Sequence, residues 1–317
     1  MDKRSAVLSL LDQEYYQKYI PAAFFLHFDS VYHCGQMAVD KHLEYFRYTG
    51  MDFVKIQFEH TFPKLEEILL PRDWVNIPYY KKEFFDEPLK VVEGLVKAAK
   101  REALIIQTLY SPFMLAGRYA SPDLLVRHLH ENPERVKHGL DIITDSLLYF
   151  VRGCIELGLD GFYASTQGGE IGRFQDVSIF SKYIKPIDLA IWEVIKNTCP
   201  FNILHICDYH LPYDDLTPFL DYPGSVVNCP IQVGGKPISS KDVSVMFTRP
   251  YMGGFDRQGI LVTGNPEQVR NASIVLLHNA PERFILGADC TVPSNTRWDN
   301  LKIAIDTAHR FALHYAS

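Results

Sequence analysis

Cysteine is scarce in this chain: Cys34, Cys154, Cys199, Cys207, Cys229 and Cys290 are the only six in 317 residues. That density is too low for a secreted disulfide framework, so these residues are expected as free thiols or metal ligands in a reducing compartment. No run of about 18 uncharged apolar residues occurs, which argues against a helical membrane span. Met1-Asp2-Lys3-Arg4-Ser5 leads into a short amphipathic stretch (Val7, Leu8, Leu10, Leu11) broken by Asp12 and Glu14, so the apolar core of a signal peptide is missing. The chain therefore reads as cytoplasmic. An excess of positive charge is missing too. A net charge of −6 and a pI near 6.1 give no electrostatic reason to expect nucleic acid or an anionic membrane as partner. A small molecule or another protein remains.

No internal repeat, low-complexity tract or Pro/Gly/Ser-rich linker divides the sequence, and 47% hydrophobic residues suffice for a large core. One domain over 1–317 is expected, with an N-terminal helical extension over about 1–20. Short apolar runs rich in β-branched and aromatic residues predict strands at 22–28, 53–58, 104–109, 161–165, 202–206, 225–229, 252–256 and 283–287. Helical periodicity fills the gaps at 37–49, 88–102, 122–130, 133–157, 177–197, 211–220, 239–248 and 266–279, and a last helix is expected at 297–315. Ser121-Pro122, Asn132-Pro133 and Asn265-Pro266 each place a capping side chain before a proline at the first helical position. Strand then helix, eight times over, implies parallel strands in an α/β fold, and the closed solution is a (β/α)8 TIM barrel. An open doubly wound sheet has the same alternation. Its Gly-x-Gly-x-x-Gly marker is absent, and Gly168-Gly169 lacks the spacing. Residues 59–87, with Pro63, Pro71, Pro78 and an aromatic patch, form a long excursion of the kind that serves as a lid or binding loop.

One constellation stands out. His205 and Cys207 lie two apart at the end of a predicted strand, so the strand period points both to one side. Cys290, in Gly-Ala-Asp-Cys, follows the last predicted strand. In a barrel all the C-terminal strand ends converge on one face, where these three would meet. One imidazole and two thiols are zinc ligands, and three protein ligands leave a tetrahedral ion one position for water or substrate. His-x-Cys alone is weak, and a lone buried His or Cys is ordinarily core, the reading given to the other four cysteines.

The stretches Gly254-Phe255-Asp256-Arg257-Gln258-Gly259-Ile260-Leu261, Gly264-Asn265-Pro266-Glu267-Gln268-Val269-Arg270 and Ile285-Leu286-Gly287-Ala288-Asp289-Cys290-Thr291-Val292-Pro293 resemble the uroporphyrinogen decarboxylase superfamily. Asp160 to Gly169 and Leu204-His205-Ile206-Cys207 fit it as well. The resemblance covers most of the chain from about Ala22 and implies a uroporphyrinogen decarboxylase-like barrel. Decarboxylases of this kind are similar in using an N-terminal Arg-x-x-Gly-Arg stretch and no metal; the corresponding Ala22-Ala23-Phe24-Phe25-Leu26-His27-Phe28 contains no arginine. The branch that resembles methylcobamide:coenzyme M methyltransferases carries His-x-Cys and a distant Cys as zinc ligands, matched here at His205, Cys207 and Cys290.

That resemblance implies a zinc-dependent methyltransferase moving a methyl group between a corrinoid and a thiol or other small acceptor. Binding to zinc deprotonates a thiol that is otherwise mostly protonated at neutral pH. Glu59 and Asp256, at predicted strand ends, are the candidate acid–base or ligand-orienting carboxylates. Tyr163, Gln167, Asn228 and, more weakly, Tyr110 and Arg257 are candidate substrate-orienting groups. No Asp-x-His-x-x-Gly corrinoid motif is present, since Asp208-Tyr209-His210 continues Leu211-Pro212-Tyr213. A corrinoid would therefore arrive on a separate protein or free. A metal-free lyase and a non-catalytic ligand-binding barrel are the alternatives.

Overall fold

A computed structural model describes residues 2–15 and 17–311. Its main strands are β1 (Phe53–Ile56), β2 (Leu104–Tyr110), β3 (Gly161–Thr166), β4 (Ile203–Ile206) and β5 (Val226–Asn228), followed after a small hairpin by β8 (Tyr251–Phe255) and β9 (Phe284–Ala288). The hairpin pairs β6 (Gln232–Val233) and β7 (Lys236–Pro237) antiparallel, apart from the rest. The seven main strands form one parallel sheet in the order β1-β2-β3-β4-β5-β8-β9. Every residue of β1, β3, β4, β5 and β9 is buried, as expected of parallel strands covered by helices outside and filled by side chains inside.

The eighth stave is the segment expected as the first strand, 22–28, and here the structure departs from the expectation. It lies between β9 and β1: Ala23 N donates to Leu286 O at 3.0 Å, Leu286 N to Pro21 O at 2.9 Å, and Asp52 N to Ala22 O at 3.0 Å. Only one ladder bridge, Ala22 with Leu286, survives. Side chains occupy the carbonyls further along. Tyr45 Oη donates to Phe24 O at 2.9 Å and Gln57 Nε2 to Leu26 O at 2.6 Å. The segment closes the barrel without being a regular strand.

The helices are α1 (Lys3–Leu8), α2 (Gly35–Thr49), α3 (Lys82–Ala99), α4 (Pro112–Tyr119), α5 (Pro122–Glu131), α6 (Pro133–Glu156), α7 (Lys185–Ile195), α8 (Ser240–Phe247), α9 (Ile260–Thr263), α10 (Pro266–His278) and α11 (Trp298–Arg310). The proline caps perform as expected: the side chains of Ser121, Asn132 and Asn265 accept from the backbone N–H groups of Leu124, Arg135 and Gln268, respectively. Helix α3 begins before Pro88, which sits inside it rather than opening it. Proline cannot donate to the carbonyl four residues back, so the helix forgoes its bond to the Phe84 carbonyl. The helix expected at 211–220 is only a 3₁₀ turn at Thr217–Phe219. The expected 177–197 helix opens with a π-turn, Phe180–Ile184, before α7. Of the expected 297–315 helix, residues 312–315 lie outside the described residues.

At the N-terminal ends of the strands, polar side chains tie staves together. Asp160 accepts Ile105 N at 2.9 Å and a two-pronged contact from Arg4 at 2.7 and 2.9 Å. Asp52 gathers Tyr19 Oη, Ala22 N and His309 Nε2 within 2.6 to 2.8 Å. Gly161 is there because β3 starts against the residues preceding β4: a Cβ would lie 1.6 Å from Phe201 O.

Candidate metal centre at the barrel mouth

Strand β4 ends at Ile206, so His205 and Cys207 both face the lumen with one residue between them. Strand β9 ends at Ala288, and Asp289 N donates to Phe255 O at 2.9 Å, which fixes the turn that carries Cys290. A ring nitrogen of His205 and the sulfurs of Cys207 and Cys290 all lie within 4.8 Å of one another, the one such group of three among the described residues. Cys290 Sγ is 3.4 Å from His205 Nε2. Bond lengths of about 2.3 Å to sulfur and about 2.0 Å to nitrogen at tetrahedral angles call for donors about 3.5 Å apart, so this donor set fits zinc. His205 is buried, and its Nδ1 has no hydrogen-bond partner among the described residues.

The two thiols are unequal. A hydrogen bond from Cys207 pulls Cys290 well below the ordinary thiol range, helped against burial by His205 and Arg257. The same bond, with burial, pushes Cys207 up.

Around this group the predicted residues separate into those that touch it and those that do not. Tyr163, from β3, stacks on the His205 ring with centroids 4.8 Å apart and donates from Oη to Asn228 Oδ1 at 2.5 Å. That bond passes from β3 to β5 across the inside of β4, which places both side chains in the lumen. Asn228 Nδ2 donates to Met252 O and Ala288 O, each at 2.9 Å, so both ends of its amide are engaged. Gln167, just past β3, brings Nε2 to 3.6 Å from Cys207 Sγ. Gly168, at φ +109°, allows the turn that follows, and its N donates to Glu170 Oε2 at 2.6 Å.

Glu59 sits beyond β1, outside the ligand group. Its Oε1 is 2.8 Å from His27 Nδ1 and 3.9 Å from His33 Nε2. Burial raises its carboxyl, but the bond to His27 and the charges of His27, His33 and Lys55 win and hold it below the usual range. Tyr110 ends β2, partly buried, with its ring edge against Phe58 at 5.8 Å. Asp256 stands apart: it is exposed and its Oδ1 accepts Gln258 N at 2.8 Å, which commits it to the turn after β8. Its neighbour takes the inward place. Arg257 Nη1 reaches Asp208 Oδ1 at 2.8 Å and Asp289 Oδ2 at 2.7 Å, while its backbone N donates to Asp289 Oδ1 at 2.7 Å. The Asp289 carboxylate therefore points at Arg257, and the guanidinium clamps the loops bearing Cys207 and Cys290 together.

Lys55 was not singled out by pattern. It sits mid-strand in β1 among apolar neighbours, where the run alone reads as core, and the signal in retrospect is a lysine in a fully buried strand.

The model of the uroporphyrinogen decarboxylase (URO-D) family matches residues 31–311, and the chain belongs to that family. Among solved structures, it is similar to a methyltransferase from Methanosarcina mazei, with a TM-score of 0.76 at 13% identity, covering 97% of this chain and 98% of that one. A B12-independent methionine synthase from Shewanella sp. W3-18-1, in complex with selenomethionine, has a TM-score of 0.55 at 10% identity, with 92% of each chain covered. The endo-1,4-beta-mannanase from Rhizomucor miehei gives a TM-score of 0.53 at 11% identity, with 94% of this chain and 96% of that one covered. At such identities the likeness is one of fold, and it agrees with the barrel. None of the curated proteins matches.

Proposed function

We propose that this protein is a zinc-dependent methyltransferase, moving a methyl group between a corrinoid carried by a separate protein and a small thiol. The observation that carries the reading is the buried His205–Cys207–Cys290 group at the C-terminal ends of β4 and β9. Those three residues would hold the ion. Zinc, when bound, supplies a Lewis acid that keeps a thiol as thiolate at neutral pH.

The chain's own residues prepare the place. Tyr163, anchored by Asn228, holds the His205 ring by stacking, and Gln167 offers an N–H to the Cys207 sulfur. Arg257 ties the two cysteine-bearing loops together. Glu59, ionised beside His27, is the base assigned at the mouth for the proton that an incoming thiol gives up. Tyr110, at the end of β2, and Gln167, just past β3, are the residues assigned to orient the substrate. In methyl transfer the sulfur–carbon bond forms as the bond from carbon to its donor breaks, and the bonding pair stays with the donor.

The decarboxylase alternative draws less support. The 22–28 segment has no arginine, and the one guanidinium described at the site, Arg257, already faces two carboxylates.

The test is metal content followed by transfer. Protein purified under reducing conditions with added zinc is expected to carry about one zinc per chain, lost in His205→Ala and Cys290→Ser. Zinc-loaded protein is expected to demethylate methylcobalamin with a thiol. Native protein that never holds stoichiometric metal would falsify the reading.

A further inference from the structure

The lumen contains a buried cation that the reaction as described does not use. Lys55 is 5% exposed, and its ammonium donates to Gln57 Oε1 at 3.0 Å. Among the described residues no carboxylate lies within ion-pair distance of it, and one hydrogen bond is assigned to a group with three donors. The rest of its surroundings is aromatic: Nζ is 4.6 Å from the ring centroids of both Phe25 and Tyr163. Ring faces attract a cation but do not cancel its charge.

A buried ammonium without a counter-ion is costly, and the fold places this one beside the ligand group. The Tyr163 ring that carries Lys55 also stacks on His205. Burial pushes the Lys55 ammonium down to about 7, against the pull of Cys290, Glu59 and Cys207. Cys290 is thus foremost among the groups that pull against that burial.

Charge counting identifies what it faces. A divalent ion with two cysteinates and a neutral imidazole is electrically neutral. A third sulfur, bound as thiolate, makes the assembly singly negative. We propose that Lys55 is a positioning residue whose ammonium balances the negative charge of a substrate thiolate at the His205–Cys207–Cys290 centre, favouring the thiolate-bound state over the thiol-free one. This rests on the reading of the centre as a zinc site that takes a thiol.

The experiment compares native protein with Lys55→Met, which keeps much of the length and removes the charge, and Lys55→Arg, which keeps the charge. Replacing a buried charge with an apolar chain is often neutral or stabilising, so Lys55→Met is expected to fold, as its circular dichroism melt checks. Zinc affinity without thiol is read by competition with a chromogenic chelator. Affinity for 2-mercaptoethanol, a thiol with no charge of its own, is read from the sulfur-to-cobalt charge-transfer band of the cobalt(II)-substituted protein. Removing a charge at this range is expected to weaken thiol binding by roughly tenfold or more while zinc affinity stays within about threefold, and Lys55→Arg restores most of the loss. Equal thiol affinity in native and Lys55→Met protein, or equal weakening in Lys55→Arg, overturns the proposal. Native protein that binds no zinc overturns the functional reading instead, so the two failures are distinguishable.

Discussion

Asp188 offers a sharp test of how burial sets the chemistry of the barrel wall. It lies on α7, 4% exposed, with Oδ2 accepting from Thr166 Oγ1 at 2.6 Å and Tyr222 Oη at 3.1 Å. Its Oδ1 has no partner among the described residues. Burial raises the carboxyl from 3.8 to about 7, and the two hydrogen bonds only partly oppose it. Between about pH 4 and pH 7 the folded protein therefore holds a proton that the unfolded chain has lost. The contribution of this group is most favourable below about pH 4, and stability falls as pH rises through the window. A displacement of about three pH units at about 1.36 kcal/mol each comes to roughly 4 kcal/mol. Asp188→Asn keeps an acceptor for Thr166 and Tyr222 and cannot ionise. Any fixed cost of its amide is the same at every pH, so the slope is the readout. Urea unfolding of both proteins from about pH 4 to about pH 8 is expected to show the stability difference moving in favour of the variant by about 3–4 kcal/mol, with no further change at higher pH. A difference that stays flat across the range refutes the buried-proton argument.

Three further substitutions probe the frame. Gly161→Ala forces a methyl into the Phe201 carbonyl, 1.6 Å away, and is expected to cost more than about 3 kcal/mol by denaturant unfolding or to abolish soluble expression. Asn228→Ala strips partners from Tyr163 Oη, Met252 O and Ala288 O; about 2–4 kcal/mol of lost stability is expected, together with weaker zinc retention in chelator competition. Arg4→Met leaves the buried Asp160 without its two-pronged partner, and a loss of about 2–4 kcal/mol is expected in urea at neutral pH.

Much of this was legible in the chain. Hydrophobic runs marked the seven ladder strands because parallel strands buried on both faces read as continuous apolar segments. The meeting of His205, Cys207 and Cys290 was legible because the first two obey the strand period and Cys290 falls just past another strand. What escaped depended on partners distant in sequence. Residues 22–28 look like a strand, yet the side chains of Tyr45 and Gln57 take the hydrogen bonds that a ladder would use. Pro88 looks like a helix start, yet α3 already begins at Lys82 and carries the proline inside. Asp256 and Arg257 are adjacent, and only the turn geometry shows that the arginine rather than the aspartate faces inward.

The two ends of the barrel divide stability from chemistry by a repeated device. Asp52, Asp160 and Asn202, each just before a strand, commit a side-chain oxygen to the backbone N–H of another stave: Ala22, Ile105 and Phe162. These bonds fix how neighbouring strands slide past one another, and thereby the height at which each strand ends. At the opposite end Gln167, Cys207 and Cys290, just past their strands, turn toward one another and His205, and Glu59 turns toward His27, rather than toward the backbone. A ligand group drawn from two strands tolerates little slippage, since one residue of register moves a side chain to the other face. The polar bonds at the closed end therefore help to hold His205, Cys207 and Cys290 in register at the mouth. Weakening the Asp160 or Asn202 bonds without unfolding the barrel should loosen zinc retention in chelator competition from a distance, whereas removing a surface ion pair such as Arg47–Glu102 should not.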